Sequence, residues 1–446
     1  MREVAALQNR CKTLVAEGRA GRASELSQAG SNHSVLNRRG MGPKTGDTVA
    51  LFGMPITNVN MTEAVARVEE YILSGRTHQI ATANLDFARN SLRDPYLHRI
   101  ICECSMVLPD GAPMLWASRM FSAPLRERVT GVDLIPELAR LSEQKGYGIY
   151  LLGSTEASSL AAAKVLKERF PGMNLVGRCC PPVAPLHEMN HEELLRQIHD
   201  AKPQIILIGF GNPKQEIWIH RHKDRFPPSV VIGIGGSLDM IAGKLRRAPR
   251  WIQRLQMEWI FRMGQEPLRL LPRYAKDALA LFKHLPMGLA ANRMQPFERR
   301  QRGSVVDVRM GFRVFATPGK MGGRASSLLV QEAREAARAG ETLVIDMTST
   351  LRIEAEGLGG LLEARRLMLD EGLWIWLTAM SNPVRRVLQF SSVADLFRVA
   401  LTPSAAIQAT RSAQSGLRLA MTETAGTEGR SRMAKAETKP ATAKAS

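Results

Sequence analysis

Aromatic residues are scarce in this chain: Phe, Trp and Tyr make up 5% of its 446 residues. Basic positions are not interleaved with rings, and no nucleic-acid-binding fingerprint occurs, so no nucleic-acid partner is expected. Cysteine is as sparse. Cys11, Cys102, Cys104, Cys179 and Cys180 form no paired C-x-x-C sets, which argues against a zinc site or a disulfide framework and for reduced thiols. No apolar run approaches the roughly 20 residues that span a bilayer, and the N-terminus lacks the apolar centre of a signal peptide. The expectation is a cytoplasmic protein. Acidic residues are also outnumbered, 42 against 61 Lys and Arg, leaving a formal net charge of +19. That excess attracts polyanions, and with nucleic acid set aside, phosphate-bearing lipids and sugars remain.

What is present is enough apolar residue for a large core. Hydrophobic residues are 44% and charged residues 23% of the chain, a globular usage, and the length suggests more than one domain. Residues 1–47 are rich in Arg, Gly, Ser and Ala without apolar periodicity and read as a disordered basic leader. Residues 48–290 carry the first domain, 291–303 an Arg- and Gln-rich linker with Pro296, and 304–410 a second, smaller domain. The stretch 411–446 is a solvated tail of Ala, Thr, Lys, Glu and Ser.

In the first domain GIYLLG (Gly148 to Gly153), QIILIGFG (Gln204 to Gly211) and VVIGIGG (Val230 to Gly236) are apolar runs of the kind that form fully buried parallel strands. Each precedes helix-compatible sequence, and Glu156 to Phe170 followed by Pro-Gly and NLVG completes a β-α-β unit. The fold class is α/β with a parallel, Rossmann-like sheet. In the second domain VVDVRMGFRVFATPG reads as two strands, Arg324 to Ala339 as a helix, TLVIDM as a buried strand, Leu358 to Asp370 as a helix and LWIWLTA as another strand. It too is α/β.

Several short blocks sit where such a sheet binds ligands, at strand ends. In TANLDF, Thr82 and Asn84 point to the same side of an extended backbone and can bind a sugar or nucleotide, although such residues also cap turns. PDGAP places Asp110 in a rigid turn, where its carboxylate either faces a cleft or bonds its own backbone. RVTGVDL offers Arg128 and a glycine before a helix for which Asp133 is a candidate N-cap. GFGNPKQE is more specific: Gly209, Gly211 and Asn212 join a strand to a helix whose first N–H groups suit a diphosphate, with Lys214 and Gln215 beside them. GIGGSLD, with Gly235 and Asp239, repeats the design without a dinucleotide or Walker spacing.

Residues 246–285 form an arginine-rich, helical appendage in which cations and large apolar residues interleave. In an unbroken helix Arg262, Arg269 and Arg273 would fall within about 20° of one face, but Pro267 and Pro272 should break it. Such a segment is either an ordinary amphipathic surface or a cationic lid that meets a diphosphate and rests on an anionic membrane. His187 and His191 have helical i, i+4 spacing and His220 and His222 lie close together. Neither pair has partner ligands, so no metal site is expected.

Taken in order, these blocks resemble the WecG/TagA/CpsF family of bacterial glycosyltransferases over about Val49 to Leu285. The resemblance implies inverting transfer of a hexose or N-acetylhexosamine-type sugar, N-acetylmannosamine class or glucose, from a UDP-sugar to a polyprenyl-diphosphate-linked saccharide. It implies no cofactor and no essential metal, in surface-polymer synthesis at the inner face of the cytoplasmic membrane. By the same resemblance Thr82, Asn84, Asp110, Arg128 and Gln215 line the site, with Asp110 as general base. Glu258, Trp259, Arg262, Arg269, Arg273 and Tyr274 match the appendage that closes over it. Three positions depart from the pattern: Gly236 and Leu238 replace an alanine and an aromatic residue, and Pro113 replaces a glycine-type residue.

The second domain is similar to STAS domains, through TLVIDM, EGLGGLLEARR and NPVRRVLQF. Signalling members carry a phosphorylated hydroxyl before that helix. Here Glu354, Ala355, Glu356 and Gly357 occupy the segment, implying a docking or regulatory module for a protein partner without a working switch. The other function consistent with these residues is a catalytically idle sugar-nucleotide sensor that reports through this module.

Overall fold

A computed structural model describes residues 48–249, 251–252, 257–268, 270–272, 274–276, 304–309 and 311–413. The leader, the linker, most of the tail, Arg269 and Arg273 lie outside these residues.

A hairpin of β1 (Thr48–Leu51) and β2 (Met54–Thr57), paired antiparallel, stands ahead of the main sheet of the large domain. The strands of that sheet are β3 (His78–Ala83), β4 (Met106–Pro109), β5 (Ile149–Gly153), β6 (Leu175–Cys179), β7 (Ile205–Gly209) and β8 (Val230–Gly233). They lie in the order β4-β3-β8-β7-β5-β6, and all pairings are parallel. The runs of apolar residues are continuous because both faces are covered. Along β7, Ile205 and Leu207 enter one core with Ile80, Leu108 and Ile232, while Ile206 and Ile208 enter another around Trp218. Alternate side chains of a strand point to opposite faces, so an unbroken apolar run is what two helix layers require. Each fully buried Ile or Leu contributes roughly 1.5–3 kcal/mol relative to exposure.

The chain moves from β3 outward to β4, crosses to β5 and β6, then returns through β7 to set β8 beside β3. The carboxyl ends of β3 and β8 therefore meet where the winding reverses, the crevice in which open α/β sheets bind ligands.

In the second domain the strands are β9 (Val305–Arg309), β10 (Phe312–Ala316), β11 (Lys320–Met321), β12 (Thr342–Asp346), β13 (Arg352–Ile353), β14 (Ile375–Thr378) and β15 (Arg398–Ala400). Five of them form a sheet in the order β15-β14-β12-β10-β9, parallel except for the β9–β10 pair, and β11 pairs with β13 alone. As expected, VVDVR and FRVFA are strands and Gly323–Ala339 is a helix. β12 splits its side chains between two cores, Leu343 and Ile345 to one and Val344 to the other. The helix expected from Leu358 begins earlier and spans Ala355–Asp370.

The two α/β units also pack against each other. Ala50 and Cys102 of the large domain lie in the same apolar cluster as Leu358, Leu361 and Leu362 of that helix. Thr48 Oγ1 donates to Glu363 Oε2 at 2.6 Å, and Arg365 Nη2 lies 3.2 Å from Glu103 Oε1. A Cβ on Gly359 would stand 2.1 Å from the Thr48 carbonyl oxygen, so this glycine is what lets hairpin and helix touch.

Candidate active site

Five strands deliver the singled-out blocks to one edge of the large sheet. In lateral order the residues just past the strand ends are Asp110 (β4), Asn84 (β3), Gly235 (β8), Gly211 (β7) and Ser154 (β5).

Asp110 is held by its backbone. Its N–H donates to the Ala83 carbonyl at 2.8 Å, extending the β3–β4 ladder. Gly111 then adopts φ 109° and ψ 147°, a conformation that favours glycine, and starts the helix Ala112–Met120 with Pro113 in its first turn. No hydrogen bond among the described residues ties its carboxyl to its own backbone. Burial pushes that carboxyl from 3.8 up to about 6; Arg262 and then Arg128 pull it back, while Glu258 and Asp133 add to the rise. A carboxyl so placed exchanges protons near neutrality.

The cations around it are fixed by acids from distant parts of the chain. Arg128 Nη1 meets Glu258 Oε2 at 3.0 Å. Arg247 Nη2 lies 2.5 Å from Asp133 Oδ1, and its Nε is 3.7 Å from Glu258 Oε1. Asp133 is not the N-cap that the sequence suggests. Thr130 caps the helix Gly131–Lys145, accepting from the Asp133 N–H at 3.2 Å and donating to Asp133 Oδ2 at 2.7 Å. Capping by Thr130 frees the other Asp133 oxygen for Arg247.

Of the two prolines expected to break the appendage, Pro267 does so: the helix Glu258–Gln265 ends with Glu266 as its C-cap. Pro272 does not, lying among helical residues with Leu270 and Leu271 before it and Tyr274 to Lys276 after it. The helix Glu258–Gln265 is clamped at its far end. Gln265 Oε1 accepts from the Arg246 N–H at 3.0 Å and its Nε2 donates to the Arg246 carbonyl at 2.8 Å. Near its start, the Trp259 ring lies edge-on between Trp116 and Tyr274, at centroid distances of 6.5 and 5.8 Å.

The other half of the site is a knot of carboxamides. Gln215, only 1% exposed, accepts with Oε1 from the Gly211 and Gly235 N–H groups, each at 3.1 Å. The amides of Gly211 and Gly235, two glycines that the sequence marks as ligand-binding, are thus spent on Gln215. Gln215 Nε2 donates to Glu216 Oε1 at 2.7 Å, and Asn212 Nδ2 donates to Glu216 Oε2 at 3.0 Å. Glu216 is as buried as Gln215. Burial pushes its carboxyl up to about 7 against the pull of those donors.

Thr82 and Asn84 are also engaged. Thr82 Oγ1 donates to the Gly233 carbonyl at 2.9 Å, and Asn84 Oδ1 caps the next helix through the Asp86 and Phe87 N–H groups at 3.0 and 3.2 Å. What Asn84 can offer a ligand is its Nδ2. Lys214 Nζ donates to the Ala184 carbonyl at 2.5 Å, tying its helix to the loop after β6. Asp239 accepts from Ser154 Oγ at 3.3 Å, and a Cβ on Gly209 would stand 3.0 Å from the Gly235 carbonyl, so the three glycine-bearing loops pack together. Arg262 reaches this group through its field on Asp110, whereas Arg269 and Arg273 fall outside the described residues.

His187 lies in a 3-10 turn and His191 starts the next helix, so their i, i+4 spacing never shares a helix face. His191 Nδ1 accepts from Trp218 Nε1 at 3.0 Å. Among the described residues no group of three or more His, Cys, Asp or Glu side chains is placed to hold a metal ion. Sequence reasoning passed over Glu216, Arg247, Asn90 and Trp116. Only Glu216 carried a signal, a carboxylate beside Gln215 at the start of a helix that buries Trp218 and Ile219.

The family description "Glycosyl transferase WecG/TagA/CpsF family" matches residues 49–293, more than half of the chain. The chain belongs to this family. Among similar WecG/TagA/CpsF proteins is the N-acetylglucosaminyldiphosphoundecaprenol N-acetyl-beta-D-mannosaminyltransferase of Bacillus subtilis (strain 168), 27% identical over 238 residues, 52% of this chain and 91% of that protein. The protein of the same description from Staphylococcus aureus (strain MRSA252) is 29% identical over 219 residues, 48% of this chain and 83% of the relative. A solved structure of the anti-sigma factor antagonist SpoIIAA in its unphosphorylated form is similar to 24% of this chain and 98% of its own, at 17% identity and a TM-score of 0.22. As a WecG/TagA/CpsF member the chain is a glycosyltransferase. No helix among its described residues is long and apolar enough to cross a membrane.

Proposed function

We propose that this glycosyltransferase moves a hexose or N-acetylhexosamine-type sugar from a UDP-sugar to a polyprenyl-diphosphate-linked saccharide, with inversion, at the inner face of the cytoplasmic membrane. The observation that carries this reading is the Asp110 carboxyl, raised to about 6 by burial and standing in the fields of Arg262 and Arg128. The acceptor class is supported by the relatives, whose descriptions name a diphosphoundecaprenol acceptor.

In the reaction an acceptor hydroxyl oxygen attacks the anomeric carbon while the bond from that carbon to the UDP oxygen breaks. The hydroxyl proton passes to an Asp110 oxygen, and the bond's electron pair leaves on UDP. An ionised Asp110 can take that proton, and its raised affinity for protons strengthens it as a base. Arg128 and Arg262 meet the charge that develops on the leaving diphosphate; Arg128 is held by Glu258 before substrate arrives, so it needs little reorganisation. These two cations do the work often given to a bound metal, and the reaction is proposed to need none.

Membrane proximity is supported by the appendage. Trp251, Leu268 and Leu271 are exposed there beside the arginines, a pattern suited to an anionic lipid surface. The second domain is a docking or regulatory element attached to the transferase through the Gly359 contact.

The test is to incubate pure protein with UDP-sugars and a lipid-diphosphate-linked acceptor, comparing the natural protein with Asp110→Asn. Transfer by the former and its loss in the latter is expected. Tight UDP binding without transfer from any donor would replace the enzyme by a sensor.

A further inference from the structure

We infer that Glu216 is a positioning residue for the transfer: accepting from both Gln215 and Asn212, it fixes which way round their carboxamides sit and so holds the loops after β7 and β8. This rests on reading the edge of the large sheet as the donor site.

A carboxamide has an accepting end and a donating end, and the structure dictates both orientations here. Gln215 must turn its oxygen toward the Gly211 and Gly235 N–H groups, since no other orientation satisfies two donors at 3.1 Å. Its Nε2 is then forced into the interior, where it needs an acceptor. Asn212 must turn its oxygen toward Asn90 Nδ2, which donates to it at 2.7 Å, and so its Nδ2 also points inward. Two inward donors converge on one side chain. Only a carboxylate offers an accepting oxygen to each, and Glu216 does so at 2.7 and 3.0 Å. A carboxamide at position 216 would set an N–H against an N–H at one of the two contacts.

Glu216 has no room to step aside. Its own carbonyl accepts from Gln79 Nε2 at 3.2 Å, which pins the helix to β3. A Cβ on Gly233 would lie 2.6 Å from Gln215 Nε2 and 2.9 Å from Glu216 Oε1, so the last residue of β8 leaves only the space that the pair fills. Turning Gln215 over would release both loop amides at once, one after β7 and one after β8.

The chain of polarity gives a specific test. Glu216→Gln disturbs it, whereas the exchanged pair Gln215→Glu with Glu216→Gln restores every bond. In that pair the carboxylate, now at position 215, accepts from both glycine amides and from the carboxamide nitrogen at position 216. The carboxamide oxygen at position 216 in turn accepts from Asn212. Charge and volume are unchanged by the exchange.

The readout is hydrogen exchange at Gly211 and Gly235 in the full chain at mildly alkaline pH, together with KM for the UDP-sugar and kcat. Glu216→Gln should speed exchange at both amides about tenfold, the effect of losing one buried hydrogen bond. It should raise KM for the donor more than it lowers kcat, and the exchanged pair should return the amides to natural protection. Unchanged exchange in Glu216→Gln, or an exchanged pair no better than the single variant, overturns the proposal. If Glu216→Gln is insoluble, a soluble exchanged pair supports the proposal and an insoluble one refutes it. Absence of transfer and UDP binding in the natural protein would instead defeat the donor-site reading, and the exchange result would still decide the role of Glu216 in holding the loops.

Discussion

Arg128 and Glu258 meet at 3.0 Å between Nη1 and Oε2, although 130 residues separate them. The pair joins the loop before the helix Gly131–Lys145 to the first turn of the appendage helix. It therefore couples the placement of one cation near Asp110 to that of another, Arg262, one helical turn beyond Glu258.

Breaking that pair should cost activity more than folding. With Arg128 19% and Glu258 11% exposed, Glu258→Gln removes the negative charge and one of the two accepting oxygens between Arg128 and Arg247, and lets the helix shift. A fall in kcat/KM of about 10- to 100-fold is expected, with a loss of about 1–3 kcal/mol in stability. Radiolabelled sugar transfer and urea titration measure the two. Unchanged transfer would show that the pair does not organise the site.

Asp110 predicts opposite effects on activity and stability. Its folded-state carboxyl titrates near 6, above the 3.8 of the ordinary side chain, so the native state holds its proton more tightly. The stability linked to that proton is present below 3.8 and is lost as pH rises through about 6. At neutral pH Asp110→Asn should accordingly be more stable, by about 1–2 kcal/mol given its partial exposure, while transfer falls by about 10²–10⁴. In the natural protein kcat/KM should climb as pH rises through about 6. A variant that is both active and no more stable would remove Asp110 from the chemistry.

Metal removal should change little. If Arg128 and Arg262 carry the leaving-group charge, transfer after exhaustive EDTA treatment should stay within about twofold of the untreated rate. Loss that Mg²⁺ or Mn²⁺ restores would show that a cation is needed after all.

Exposed apolar residues of the appendage should bind lipid. Leu268 is 94% and Trp251 64% exposed. Replacing both with Glu should reduce co-sedimentation with vesicles containing anionic lipid by about tenfold or more, from lost burial and added repulsion. Equal sedimentation would locate membrane contact elsewhere.

The seam between domains should outlast the linker. With a protease site inserted within 291–303, the two halves should co-elute after cleavage, held by the Thr48–Glu363 bond and the apolar cluster. Gly359→Leu should separate them, because a Cβ at position 359 would stand 2.1 Å from the Thr48 carbonyl oxygen.

The parallel sheet was legible in the sequence because β5, β7 and β8 are continuous apolar runs, and helix layers on both faces are the arrangement that buries them. The break before Pro267 followed from proline chemistry, and Asp110 was marked by its Asp-Gly turn. These are local consequences of side-chain volume, period and backbone freedom, which act within a few residues. Tertiary structure decided what depends on distant partners: that Gln215 spends its oxygen on two loop amides, that Thr130 rather than Asp133 caps a helix, and that Glu258 reaches Arg128. It also decided that Gly359 seats a hairpin from the other end of the chain. A carboxylate's proton affinity and a carboxamide's orientation are set by the charges and hydrogen bonds that folding brings within a few ångströms, and no spacing along the chain encodes them.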